Sequence, residues 1–332
     1  MPGAGYMPKV TAFGGGTGLS NLLKGLKAHT DRVTAVVTVC DNGGSSGRLR
    51  REFDVPPPGD IRNCLAALAD TEPLMEELLQ YRFEESDMEG HSFGNLLLTA
   101  LTRITGDFGT AIREANKILN VRGKVLPSTL EKVTLVAMHT DGTKSTGEAA
   151  VGKSEKPISR VELKPSPGKA TAEVIEAIRG ADMLVFGPGS LYSSVIPNLL
   201  VEGVLEAVMA SKAPRVYICN VMTQPGETTG YDADRHLRAI EMHSQDGFAD
   251  YVIVNTGRVP QEVAERYMRN GQYPVDTGRD NLLGRSFELV EGDIISRNSF
   301  ARHDAGKLAD LLMDLLLSTL APDSFLFKEK KG

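Results

Sequence analysis

Val10-Thr11-Ala12-Phe13-Gly14-Gly15-Gly16-Thr17-Gly18 decides the fold. An apolar run over residues 9–13 reads as a buried strand, breaks into glycines, and gives way to a helix from Thr17. Glycines without Cβ atoms turn sharply and bring backbone N–H groups close to an anion, while the helix start adds unpaired amides and the positive end of its dipole. A second loop, Asn42-Gly43-Gly44-Ser45-Ser46-Gly47, follows a second apolar run over residues 33–39. Either loop alone is a common turn. Two in tandem at the carboxyl ends of neighbouring strands open onto one sheet edge, where open α/β folds bind ligands, and predict a phosphate-handling nucleotide site. The first loop is neither a dinucleotide fingerprint, whose third glycine falls on Leu19 or Asn21, nor a Walker A loop, which needs a Gly-Lys-Ser/Thr triplet.

Further apolar runs at 133–138, 183–186, 215–219 and 251–254 read as buried strands. Helical patterns fall at 20–28, 61–68, 74–81, 93–104, 109–119, 170–178, 197–210 and 232–242. This alternation predicts a Rossmann-like α/β fold with a doubly wound, mostly parallel sheet. Polar, Gly- and Pro-bearing sequence over 140–167 predicts a small β-rich excursion. Edge strands are expected at 286–290 and 293–295, then a last helix from Asp304. No repeat or linker divides the chain, so residues 1–332 read as one domain with a flexible tail over 321–332.

The 332 residues, 41% hydrophobic, bury a sizeable core. A formal net charge of −6 argues against a nucleic-acid partner, which needs a basic face. Cys40, Cys64 and Cys219 form no Cys-x-x-Cys pair and read as reduced core thiols. No stretch approaches the ~20 apolar residues of a membrane span, and Asp310 and Asp314 interrupt the apolar run at 308–320, so no membrane insertion and a cytoplasmic location are expected.

Several further residues are placed for ligand chemistry. Asp41, ending the second strand, stands where a carboxylate accepts ribose hydroxyls or caps the next loop. In Pro58-Gly59-Asp60-Ile61-Arg62-Asn63, Asp60 reads as a helix cap and the Arg62 guanidinium as an anion ligand. His91-Ser92-Phe93-Gly94-Asn95 leads into an apolar helix and offers His91 and Asn95 to a sugar or phosphate. Gly187-Pro188-Gly189-Ser190 is a third strand-end glycine loop, and Asn220 and Thr223 follow another strand to the same rim. In Arg302-His303-Asp304, Arg302 offers a guanidinium to a phosphate and His303 a titrating imidazole, while Asp304 also reads as the N-cap of the last helix. Asp232 and Asp234 either hold a metal or begin the helix that follows. Hydrolase and metalloprotease signatures are absent from the sequence.

These loops, Phe13 to Gly18, Asp41 to Gly47, Pro58 to Asn63, His91 to Asn95 and Gly187 to Ser190, together resemble the YvcK-type gluconeogenesis factors. These are a branch of the CofD-like, 2-phospho-L-lactate transferase superfamily. The resemblance implies a cytoplasmic bacterial protein needed for cell shape and wall synthesis on gluconeogenic carbon sources, binding UDP-sugars such as UDP-N-acetylglucosamine, with no established reaction. It also implies regulatory protein partners in cell-wall synthesis, and a homodimer fits such a sheet protein. The leading expectation is a nucleotide-sugar-binding regulator with the diphosphate on Gly15 to Gly18 and the ribose or base near Asp41 and Asn42. Its alternative is a nucleotide- and Mg-dependent transferase of the 2-phospho-L-lactate transferase type. An NAD-dependent oxidoreductase follows only from the strand–loop–helix order, since NAD fits the same groove.

Overall fold

A computed structural model describes residues 6–297 and 300–320; the expected tail at 321–332 lies outside the described residues. The strands are β1 (Val10–Gly14), β2 (Val33–Val37), β3 (Lys124–Pro127), β4 (Thr134–His139), β5 (Lys144–Thr146), β6 (Ile158–Lys164), β7 (Met183–Phe186), β8 (Arg215–Ile218), β9 (Tyr251–Asn255) and β10 (Glu288–Gly292). In the first half of the chain the helices are α1 (Gly16–Leu26), α2 (Gly44–Phe53), α3 (Gly59–Leu68), α4 (Pro73–Gln80), α5 (Phe93–Thr105), α6 (Phe108–Ile118) and the short α7 (Glu148–Val151). The second half adds α8 (Ala172–Arg179), α9 (Ile196–Leu199), α10 (Val204–Ala210), α11 (Ala233–His243), α12 (Gln261–Met268), α13 (Arg279–Leu282) and α14 (Ala305–Leu320).

Seven strands form one parallel sheet in the order β10-β9-β8-β7-β1-β2-β3. The order reverses between β1 and β7, which fixes the topological switch point where the first and third glycine loops emerge. Alternation along β1 sends Val10 and Ala12 toward Leu19 and Leu22 of α1, Ile61 of α3 and Leu308 of α14. Phe13 goes to the opposite core with α8, α10 and α11, stacking on Phe186 at 4.7 Å between centroids. On α14 the buried face is Leu308, Ala309, Leu312, Met313, Leu315 and Leu316, while Asp310 and Asp314 are exposed. No helix among the described residues is long and apolar enough to cross a membrane.

The Rossmann-like, mostly parallel sheet agrees with the pattern in the sequence, but several elements differ. The run at 133–138 is not a main-sheet strand: β4 is the centre of a three-stranded antiparallel sheet, β5-β4-β6. Its Leu135 and Ala137 are apolar because the small sheet packs on the main core, which gives the same signature as a buried parallel strand. The β-rich excursion thus begins before residue 140. The main sheet instead ends on β3, a four-residue edge strand closed by Pro127. There the Asn116 side chain of α6 accepts from Val125 N (3.1 Å) and donates to Val125 O (3.4 Å), taking the place of a further strand.

The glycine loop at 42–47 turns directly into α2, a helix whose Gly and Ser propensities are overridden by burial of Ser45, Ser46, Gly47 and Leu49. The single helix expected at 197–210 is divided into α9 and α10 by Gly203 at φ +90°. Residues 293–295 form no strand; only an isolated bridge joins Ile295 to His303. The eight-residue helix α12 buries Val263 fully and packs Ala264 and Tyr267 beside it on a small core cluster, a face too short to stand out in the sequence.

Candidate functional site

A cleft of ≈480 Å³ opens at the switch point, lined by Gly15, Gly16, Thr17 and Gly18, by Pro188, Gly189 and Ser190, and by Asn220 and Thr223. Arg302 lines it too. Three strand-end loops and the segment before α14 therefore meet as the sequence predicts. The loops are held to one another. Asn220 accepts from Gly189 N (3.1 Å) and donates to Gly189 O (2.8 Å), and Asn198 donates to Gly14 O (3.2 Å). Gly187 N donates to Phe13 O (3.0 Å). Ser190 Oγ donates to Gln224 Oε1 (2.7 Å), and Thr223 Oγ1 accepts from Tyr273 N (2.9 Å).

The first loop is not wholly free for a ligand. Gly16, at φ +61°, opens α1, and its N–H donates to Asp60. Asp60 is no cap of α3, whose N-cap is Pro58 with no side-chain bond; its carboxyl packs beneath Gly15 instead. Thr17 and Gly18 follow Gly16 in the first turn of α1, where backbone amides have no intrahelical partner, and both residues line the cleft.

Burial first, and then the nearby Asp41 charge, push the Asp60 carboxyl up to about 7. Burial and the charges of Asp41 and Asp60 likewise raise Glu148, which is hydrogen-bonded to Asp41. A raised folded-state pKa means stability that is complete below the ordinary carboxyl range and is lost as pH rises through about 7. Asp60→Asn keeps an acceptor for Gly16 and removes that loss. It should leave Tm near the wild-type value at pH 4 and raise it at pH 8, by on the order of 2–4 kcal/mol of stability; paired melts at the two pH values check this.

The remaining predicted residues are not in the cleft lining. Asp41 Oδ1 accepts from Gly43 N (2.8 Å), and Asn42 Oδ1 accepts from Ala149 N (2.9 Å). Asp41 thus caps the loop that follows it, the second of the two roles its position suggests, and Asn42 ties that loop to α7. Ser46 Oγ accepts from Gly59 N (3.1 Å). Ser45 Oγ meets His91 Nδ1 at 3.0 Å and accepts from Asn95 Nδ2 at 3.1 Å. Arg62 donates to Gln80 and packs beside Gly94; burial, then the Arg82 charge, lower it to about 10. Asn63 is half-buried on α3. Asp232 caps α11 through Arg235 N (2.8 Å), and the buried Asp234 carboxylate joins Arg238 and Arg285 at 2.6 Å each. Helix capping and charge pairing thus occupy both aspartates. Among the described residues no group of three or more His, Cys, Asp or Glu is arranged to hold a metal ion.

The rest of the cleft wall comes from Asn21, Arg266, Tyr267, Asn270, Gln272, Phe300 and His303, of which the sequence singles out only His303. Arg302 lies over Phe300 at 4.8 Å, and Arg266 over Tyr267 at 5.8 Å. The available signal was positional, since α12 follows β9 on the same rim as the other strand-end loops. This wall presents guanidinium, aromatic and amide groups to the two glycine loops, a combination suited to a phosphate flanked by polar rings.

Residues 10–295 match the family model described as 2-phospho-L-lactate transferase CofD. The chain is 49% identical over 314 residues to the gluconeogenesis factor of Bacillus subtilis, covering 94% of this chain and 99% of that one. The gluconeogenesis factor of Halalkalibacterium halodurans is 48% identical over 307 residues, 92% and 95% of the two chains. A crystal structure of a UPF0052 family member from Bacillus halodurans superimposes with a TM-score of 0.90 at 48% identity, covering 93% of this chain and all of that one.

Proposed function

The chain belongs to the 2-phospho-L-lactate transferase CofD family, and from that premise we propose that it is a nucleotide-sugar-binding regulatory protein. Its ligand is of the UDP-N-acetylglucosamine type. Its similarity to gluconeogenesis factors supports a role in gluconeogenic growth, and the role proposed within it is in cell morphogenesis and wall synthesis, exerted on regulatory protein partners. The observation that carries the reading is the switch-point cleft of ≈480 Å³, which Thr17 and Gly18 at the start of α1 line together with Arg302. A diphosphate bridges those groups. The nucleoside lies toward Tyr267, Asn270 and Gln272, and the sugar toward Ser190 and Asn220. Ser190, the hydroxyl on the glycine loop, donates to Gln224 and not to a base, so nucleophilic catalysis has no support there.

A second reading, a nucleotide-dependent transferase, is favoured by the family match itself. The divalent ion it calls for finds no preformed site among the described residues: Glu148 is bonded to Asp41, and Asp41 also holds Gly43. Calorimetric titration with UDP-N-acetylglucosamine, with and without Mg²⁺ and with GTP and NAD as competitors, separates the two. Metal-independent binding of the UDP-sugar is expected. Preference for GTP, or binding only with Mg²⁺, would overturn the regulator in favour of the transferase.

A further inference from the structure

Four side chains on one wall of the cleft alternate ring and cation. Arg266 Cζ lies 5.8 Å from the centre of the Tyr267 ring and 6.0 Å from that of Phe300, and Arg302 Cζ lies 4.8 Å from the Phe300 centre. All four residues line the cleft. The two segments that carry them are held together by a small core cluster: Ala301 is buried there with Val259 and Val263, and Tyr267 packs against it. Arg302 N donates to Phe300 O (3.0 Å), a tight turn that keeps the arginine beside the ring. Phe300 itself is 52% exposed, so burial alone contributes little to keeping an aromatic side chain at that position. Among the described residues no carboxylate lines the cleft, although the chain as a whole carries a formal charge of −6.

Two guanidiniums near one another repel, and a long arginine side chain loses entropy when it is fixed. The face of an aromatic ring carries partial negative charge and attracts a cation within about 6 Å of its centre, so one ring between two arginines opposes both effects. We propose that Phe300 is a positioning residue whose ring holds the Arg266 and Arg302 guanidiniums together at the cleft, each to take one phosphoryl group of the ligand's diphosphate. The inference rests on the nucleotide-sugar reading and adds to it a second cation and the group that sets its place. A guanidinium fork meets a phosphoryl group through two parallel hydrogen bonds. The pair therefore matches a diphosphate, whereas a monophosphate engages only half of it.

The test titrates UDP-N-acetylglucosamine into wild type, Phe300→Leu, Phe300→Tyr, Arg266→Gln, Arg302→Gln and the double variant Phe300→Leu, Arg302→Gln. Leucine keeps an apolar side chain and removes the ring face, so Phe300→Leu is expected to weaken binding about tenfold, while Phe300→Tyr stays within about twofold of wild type. Both arginine variants lose affinity. In the double variant the two losses do not multiply, because part of what leucine removes is the support of a guanidinium already gone. Losses that multiply in full would mean that Phe300 meets the ligand independently of Arg302, and wild-type affinity in Phe300→Leu or in Arg266→Gln would equally overturn the proposal. Those outcomes leave the nucleotide-sugar reading standing; if wild type itself does not bind, that reading falls and this inference with it. Should the leucine variant fail to fold, phenylalanine analogues with one, two and three ring fluorines at position 300 decide. Fluorine withdraws charge from the ring face and nearly keeps its shape, so affinity is expected to fall with each fluorine, and a level series refutes the role of Phe300.

Discussion

Gly18→Ala is expected to abolish binding in the switch-point cleft, with an affinity loss of about a hundredfold or more, and to lower stability by about 1–3 kcal/mol. The residue lies in the first turn of α1, where alanine by itself would favour the helix by about 1 kcal/mol. The contact decides against it. A Cβ there would run into the Pro188 carbonyl, 2.8 Å from its carbon and 3.0 Å from Gly189 Cα. Both are backbone atoms, so no side chain can swing aside, and the two glycine loops must part. Their separation displaces Thr17 and Gly18 from the lining they share with Pro188, Gly189 and Arg302. Gly152→Ala is the control: its Cβ would meet only Glu148 O, at an ordinary 3.6 Å. Titration of both variants with UDP-N-acetylglucosamine, beside their thermal melts, checks the pair; wild-type affinity in Gly18→Ala would mean that the loops are not the ligand's seat.

The largest loss of stability is expected from Gly25→Ala, about 2–4 kcal/mol, read by denaturant unfolding. Gly25 is in the last turn of α1, where that helix crosses α14. The new methyl would collide with the Ala305 carbonyl, 2.7 Å from its carbon, and stand 2.9 Å from Ala309 Cβ. Again helix propensity favours alanine by about 1 kcal/mol, and again a backbone obstacle outweighs it. Because Ala305 follows directly on Arg302, His303 and Asp304, a shift of that turn carries two cleft residues with it. Gly25→Ala should therefore also weaken ligand binding, although Gly25 itself does not line the cleft.

The loops of the cleft were legible in the sequence because their restriction is local. A glycine run between an apolar strand and a helical pattern has few structural explanations, and those at Gly14 and Gly187 fix the switch point. Asp60 was legible only as a charged residue near a helix start. What it does depends on Gly16, more than forty residues earlier, and helix-cap rules do not see that contact. Arg62 shows the converse: an arginine in a first turn looks available to an anion, but its surroundings, Gln80 and Gly94, come from other helices. The strand at β4 was misplaced because apolar alternation reports burial and not which sheet provides it. The wall bearing Arg266 and Tyr267 is not marked in the sequence because α12 is only eight residues long and carries no glycine loop or other ligand motif; its importance follows from where β9 ends.

The Asn116 amide that occupies the edge of β3 bears on how the molecule behaves in a crowded solution. An open parallel sheet exposes a ladder of donors and acceptors on which a second chain can grow, and such edges seed aggregation. At Val125 that ladder is already matched by a side chain of the same chain. The next residue but one is Pro127, which has no N–H to offer. The β3 margin is thereby closed to strand addition, and growth of the main sheet by a second chain is left to its other edge, β10.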